Sequence, residues 1–165
     1  MRFSFVLIVS ALLPTLASAA FAGDACSLLS RNDAAAILGQ PVAQVTPAGP
    51  QRDEDSGGQL SYCTYRAAAS SVVVSVVEFA SGAEARKQLT KNLVKERMDE
   101  DDAKVSEEAG LGEKSFYGVS AKGAMYVFLK KNKVVGVGAG GAKLNKAAAS
   151  KESLRGAASS VASKI

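Results

Sequence analysis

The segment Val72–Phe79 limits the possible folds of this chain more than any other feature. It holds five valines, and β-branched residues at this density favour a strand. A second valine-containing strand is predicted later, and in both places Gly and Ala residues lead into an amphipathic helical pattern. The segments Val72–Leu89 and Val134–Leu154 therefore look alike. This likeness suggests two halves, each made of three strands and a helix (βββα), as an internal duplication.

Periodicity and turn residues place the other elements. The predicted strands are Val42–Thr46, Leu60–Arg66, Val72–Phe79, Ser115–Val119, Met125–Leu129 and Lys133–Val137. Helices are predicted from the cap Ser30 to Gly39, from Gly82 through Ala85, Leu89 and Leu93, and from Leu144 to Ile165. The apolar stripe of the last helix is Ala147, Leu154, Ala158, Val161 and Ile165. In the middle helix, Val94 and Met98 lie off the shared apolar face. The order predicts an α+β fold, with an antiparallel sheet of about six strands and helices packed mainly on one face.

The N-terminus has the order of a cleaved secretory peptide. Arg2 is followed by the apolar run Phe3–Leu13 and then by small residues. Cleavage after residue 19 would leave 20–165, and cleavage after residue 22, at a second small-x-small triplet, would leave 23–165. We expect residues 23–165 to form a single domain. The apolar run is shorter than the ~20 residues that a membrane helix needs. We therefore expect a periplasmic or secreted domain that does not span the membrane.

The two cysteines, Cys26 and Cys63, are expected to form a disulfide, because export would place them where such bonds persist. The bond would close the loop 26–63 and stabilise the fold by about 4 kcal/mol on the chain-entropy model. The alternatives are a reactive thiol or a metal pair, and the chain has no histidine to assist either chemistry. Lipidation of Cys26 is a further alternative, which Asp24 disfavours.

Charge is unevenly distributed along the chain. Residues 99–113 carry seven acids against one lysine, whereas residues 114–165 carry ten Lys and Arg against one acid. These surfaces either neutralise each other in the fold or leave a basic patch for an anionic envelope polymer, a lipid head group or an acidic protein. The candidate residues of such a patch are Lys130, Lys131 and Lys133.

Several motifs that could carry chemistry are incomplete. Gly136-x-Gly138-x-x-Gly141 lacks the second parallel strand and the acid that a dinucleotide fingerprint needs, so we interpret it as a strand end and close helix packing. The acidic runs 53–55 and 99–102 lack the ligand spacing of a calcium loop, and we interpret them as solvated loops. Without histidine there is no Ser/His/Asp or Cys/His centre. We expect no catalytic residue, cofactor or metal.

Tyrosines and one arginine are the remaining candidates for binding. On a strand, Tyr62 and Arg66 point to the same face, while Tyr65 points to the other face together with Cys63. Tyr62, Arg66 and Tyr117 are candidate binding residues, since aromatic and arginine side chains are frequent in recognition sites. The alternative is that the tyrosines belong to the core, with one edge in water.

Four short motifs are spread over most of the chain after the N-terminal segment: Cys26-Ser27-Leu28-Leu29, Ala36-Ile37-Leu38-Gly39, Tyr62-Cys63-Thr64-Tyr65 and Gly110-Leu111-Gly112. With these motifs the chain resembles a family of small exported bacterial proteins and lipoproteins of unknown function. The resemblance implies the disulfide and an α+β fold. This chain departs from the lipidated members, because it lacks a usable lipidation site.

These observations favour a non-enzymatic binding module that recognises an envelope component or a protein partner, with no nucleic acid involved. The alternative is an inhibitor or immunity-type protein directed against an exported lytic enzyme. An acidic loop shaped to enter an enzyme cleft would favour the inhibitor. A pocket between the sheet and the helices would favour ligand binding.

Overall fold

Residues 25–98 and 102–165, which the computed structural model describes, form one antiparallel sheet with four α-helices. The elements after a short 3-10 helix, Ala25–Ser27, are α1 Arg31–Leu38, β1 Gln44–Arg52, β2 Gln59–Ala67, β3 Ser70–Glu78, α2 Gly82–Gln88, α3 Lys91–Met98, β4 Lys104–Glu108, β5 Lys114–Val119, β6 Gly123–Lys130, β7 Lys133–Gly141 and α4 Lys151–Ser163. The α+β class and the antiparallel sheet are as the sequence predicts.

The sheet has seven described strands rather than about six, in the order β1-β2-β3-β7-β6-β5-β4. The additional strand is β4, which pairs with β5 from Lys104 opposite Val119 to Glu108 opposite Ser115. Its charged sequence shows no alternation typical of a strand, because Val105 is its one buried apolar residue and Ala103, also buried, precedes it. The two strands with the most valines, β3 and β7, lie side by side in the centre, with Val74 opposite Val137.

Helices cover both faces of the sheet, and the expectation that they lie mainly on one face is wrong. The first face, marked by Val72, Val74 and Val76 of β3, packs against α1 and α4. The second face, marked by Val77 of β3 and Val134 of β7, packs against α2 and α3. Alternate residues of one strand therefore enter two separate cores.

The described helices that follow β3 and β7 lie on opposite faces. The two halves of the chain therefore do not repeat one βββα arrangement, although β1-β2-β3 and β5-β6-β7 both run inward to the central pair. The valine strands look alike in sequence because they are the two central strands of the sheet, and each contributes valines to both cores.

Helix α1 begins and ends where the sequence predicts. The Ser30 hydroxyl accepts the Asp33 N–H at 3.1 Å, and the Asp33 carboxylate accepts from Ser30 in return, which completes a capping box. Gly39 ends the helix with a φ of 66°, a left-handed conformation that glycine adopts without strain. Cys26 and Cys63 form the expected disulfide, which joins the 3-10 helix to β2.

Strand β1 begins two residues later than the predicted segment Val42–Thr46, at Gln44, and continues well beyond its end, to Arg52. Pro47 and Pro50 lie within it, and the register shifts between Ala48 and Gln51. Proline lacks the N–H that a central strand would use, but an edge strand tolerates it. The prediction failed because a strand's position at the edge is not visible in its own sequence.

The segment predicted as one helix from Gly82 is two helices that meet at Leu89. Leu89 has extended dihedrals, and the Thr90 hydroxyl accepts the Leu93 N–H at 3.1 Å at the start of α3. The break changes the direction of the chain. As a result Val94 is fully buried and Met98 contacts the sheet above Gly118, although both lie off the face that a continuous helix would present.

Helix α4 begins later than the predicted segment Leu144–Ile165, because Ser150 caps it and accepts the Ser153 N–H at 3.2 Å. Leu154, Ala158 and Val161 form its buried stripe as predicted. Ala147, assigned to the same stripe, precedes the helix and is exposed. Within residues 25–98 and 102–165, no helix has the length and apolar character needed to cross a membrane.

Candidate functional site

Part of the second face is left open beside α3 and forms a groove across the sheet. The groove consists of two adjoining cavities that share Val73 of β3 and Met125 of β6. It crosses the neighbouring strands β2, β3, β7 and β6. Since strands lie about 4.8 Å apart, three spacings make the groove roughly 14 Å long.

The larger cavity, here called the acidic cavity, has a volume of about 850 Å³. Its floor is formed by apolar and small polar side chains of the sheet, and its wall by α2, α3 and the loop between β1 and β2. The lining residues are Asp53, Asp55, Ser56, Leu60, Tyr62, Val73, Ser75, Gln88, Leu93, Glu96 and Met125. These described lining residues include three carboxylates and neither Lys nor Arg.

The loop that carries two of these carboxylates is held in place by its own hydrogen bonds. The Ser56 hydroxyl donates to Asp53 Oδ2 at 2.5 Å, and the Asp53 N–H donates to the Gly58 carbonyl at 2.8 Å. Asp53 is half-buried, whereas Asp55 and Glu96 are exposed. The rim of the cavity therefore presents the Asp55 and Glu96 carboxylates to solvent.

The smaller cavity, here called the glycine cavity, has a volume of about 270 Å³. Gly138 and Gly140 of β7 and Gly123 of β6 lie in its floor beside Ser71, and Met98 of α3 lies at its rim. A strand of alternating glycines has no side chains on one face, so a ligand can approach the backbone closely. The glycine pattern thus lies within β7, and its last residue, Gly141, is the end of that strand. Gly138 and Gly140 line an open cavity and do not pack closely against a helix, although the sequence suggested that they would.

Of the candidate residues, Tyr62 lines the groove and Arg66 lies on the same sheet face in an exposed position. The register confirms this, since Tyr62 is opposite Ser75, and Arg66 is opposite Ser71. Tyr65 faces the first core, where its hydroxyl donates to the Leu29 carbonyl.

Tyr117 is on the first face, away from the groove. Its ring packs against that of Tyr126 with 4.9 Å between centroids, and the Lys151 ammonium lies 5.0 Å from its centroid. Burial raises the pKa of Tyr117. Lys151 also donates to Glu108 Oε1 at 2.7 Å, and this bond lowers the pKa of the Glu108 carboxyl. The cluster links α4 to β4 and β5 and therefore has an evident structural role.

The three candidate lysines lie around the turn between β6 and β7, where each has a partner inside the protein. Lys130 Nζ donates to the Ala162 carbonyl, and Lys131 Nζ donates to the Ile165 carbonyl at 2.7 Å. Lys133 Nζ lies 3.1 Å from Glu78 Oε2. These ammonium groups hold the C-terminal end of α4 and the end of β3, and the groove lies elsewhere.

Sequence reasoning missed most of the groove, including Val73, Ser75, Met98 and Met125. The available signal was the alternation of Gly136, Gly138 and Gly140, because three glycines on one face of a strand mark an uncovered or closely approached surface. Among the described residues, no three His, Cys, Asp or Glu side chains come together in a way that could hold a metal ion. The acidic residues 99–101 lie outside the described ranges.

No protein-family model matches this sequence, and curated proteins give no significant match. Among solved structures, the fold is similar to the extracellular domain of PknH from Mycobacterium tuberculosis, with a TM-score of 0.47 and 13% sequence identity. The similarity covers 84% of this chain and 92% of that domain.

Proposed function

We propose that this protein is a non-enzymatic, exported binding module whose ligand site is the groove on the second face. Its ligand is an envelope component or a protein partner in the periplasm or outside the cell. The disulfide supports an exported location, because such bonds persist in oxidising compartments. We also propose, from the four short motifs, that the protein is related to small exported bacterial proteins of unknown function.

The observation that carries the proposal is the pocket between the sheet and the helices α2 and α3. Its size is in the range of ligand sites in proteins, and apolar side chains beside a few polar groups are typical of such sites. The first face offers a contrast, since Val72, Val74 and Val76 of β3 are buried there beneath α1 and α4. On the second face, α2 and α3 cover only part of the sheet. The uncovered part is available as a recognition surface.

The alternative of an inhibitor depends on an acidic loop that enters an enzyme cleft. Asp53 and Asp55 of the acidic run instead border the groove, and their loop is closed by the hydrogen bonds of Asp53. This arrangement supports the binding of a ligand in the groove over the insertion of the loop.

A leucine at position 140 is expected to block binding without unfolding the protein. A Cβ on Gly140 would lie 3.4 Å from the Lys122 carbonyl oxygen and 3.9 Å from Gly123, both ordinary contacts, and the rest of the side chain would project into the glycine cavity. Wild-type protein and Gly140→Leu should be immobilised and exposed to envelope extract and culture medium, and the retained components identified by mass spectrometry. We expect Gly140→Leu to retain the specific component at least about tenfold less, a change of ~1.4 kcal/mol.

The matched control is Gly156→Leu, which makes the same substitution on α4. A Cβ at Gly156 meets nothing within 4 Å, and the residue is exposed on the far side of the molecule. This variant should retain the component as the wild type does. Equal retention by both variants would exclude the groove as the binding site.

A further inference from the structure

We infer that the groove binds an extended peptide segment of a partner protein, with a lysine or arginine side chain placed in the acidic cavity. This inference rests on the proposed function and specifies the chemistry of the ligand. It is carried by the combination of an apolar floor, carboxylates at the rim and the length of the groove.

The charge of the acidic cavity selects a cation. Asp53, Asp55 and Glu96 contribute carboxylates, and the described residues lining this cavity include no base to neutralise them. Asp53 already accepts from Ser56, which leaves Asp55 and Glu96 at the exposed rim for a ligand. A cationic group above this rim is electrostatically favoured over an anionic or neutral one.

The floor of the same cavity favours a ligand side chain whose inner part is apolar. Leu60, Val73, Leu93 and Met125 are all half-buried, so the cavity combines apolar surface at its base with carboxylates at its edge. Lysine and arginine have this distribution, because their methylene stems pack on apolar surface while the charged group stays in contact with water. Tyr62 of β2 also lines this cavity, and an aromatic ring adds a surface that attracts cations.

The length and openness of the groove favour a peptide over a small free amine. The groove continues for roughly 14 Å across four strands, and an extended chain advances about 3.3–3.6 Å per residue. About four residues therefore span it, with one basic side chain in the acidic cavity and the neighbouring residues over Gly138 and Gly140. The missing side chains of these glycines give a peptide backbone room to approach the sheet.

The test uses acetylated, amidated hexapeptides Ala-Leu-Val-X-Leu-Ala, in which X is lysine, arginine, norleucine or glutamate. Affinity for the mature protein should be measured by calorimetry at low salt and again at high salt. We expect the lysine and arginine peptides to bind about tenfold more tightly than the norleucine peptide, and the glutamate peptide to bind most weakly. The advantage of the basic peptides should shrink at high salt, because the Asp55 and Glu96 carboxylates are exposed and are screened by ions.

The protein variants separate this inference from the proposed function. The double variant Asp55→Asn/Glu96→Gln should lose the preference for lysine over norleucine, whereas Glu54→Gln/Glu152→Gln removes the same charge from exposed positions outside the groove and should keep it. If the wild type binds all four peptides equally, the preference for a basic side chain is wrong and the inference is overturned. If Gly140→Leu then loses all peptide binding, the groove is still the binding site, as the proposed function requires. Tight binding of hexylamine with no binding of the peptides would assign the cavity to a small amine and also overturn the inference.

Discussion

Removal of the disulfide by the double substitution Cys26→Ala/Cys63→Ala is expected to lower the free energy of unfolding by about 2–5 kcal/mol. The bond joins residues 37 positions apart and ties the 3-10 helix to β2. In its absence the unfolded chain gains conformational freedom, while the fully buried position of Cys63 is only slightly underfilled by alanine. Denaturant titration of the oxidised wild type and the variant measures the difference.

The control for this experiment is a reducing agent. Reduction should lower the stability of the wild type toward that of the double variant and should leave the variant unchanged. Thiol titration of the denatured, unreduced wild-type protein should find no free thiol. A difference of under about 0.5 kcal/mol between the two proteins would show that the bond does not stabilise the fold.

The substitution Phe128→Ala is expected to lower the free energy of unfolding by about 3–5 kcal/mol. Phe128 is fully buried on the first face, opposite Ser115 and Val135 in the neighbouring strands. Its removal takes a large apolar side chain out of a packed core and leaves a cavity that rigid neighbouring strands cannot close.

Val119→Ala is the matched surface control for the core substitution. Val119 is 37% exposed at the end of β5, and surface substitutions usually change stability by no more than ~0.5 kcal/mol. Chemical denaturation of both variants compares the two positions. Similar losses would mean that Phe128 does not lie in a tightly packed core.

The parts of the fold that depend on neighbouring residues in sequence could be predicted. Ser30, Asp33 and Gly39 set the ends of α1 through local hydrogen bonds and one left-handed residue. The strands β2 and β3 follow from alternation in Leu60–Arg66 and from the valines of Val72–Phe79, and the structure confirms both as neighbouring antiparallel strands. Such features are readable because the residues that decide them are close together in the chain.

The parts that depend on the assembled sheet could not be predicted. The polar strand β4 is stabilised by pairing with β5 and by contacts with α3, which its own sequence does not reveal. The break at Leu89 has no Gly or Pro, and its only signal was Thr90 as a possible cap. The contact of α3 with the second face follows from that break, because the change of direction turns Val94 toward the sheet.

The candidate site was predicted only where it depends on strand alternation. Tyr62 and Arg66 share a face, as period two requires, and Tyr62 lines the groove. The lysine candidates were chosen from composition alone, and the structure gives Lys130 and Lys131 backbone partners near the C-terminus. Composition reports how many charges a segment has, but not which carbonyls they reach.

Methionine methyl signals test most directly whether the groove is the binding site. The chain has three methionines: Met1 lies in the predicted secretory peptide, and both Met98 and Met125 line the glycine cavity. Ile37 and Ile165 serve as the internal control, because both pack on the first face. In a methyl-labelled mature protein, the component retained in the capture experiment should shift both methionine signals and leave both isoleucine signals in place. Shifts of the isoleucine signals with unchanged methionine signals would contradict the account, because the ligand would then bind the opposite face.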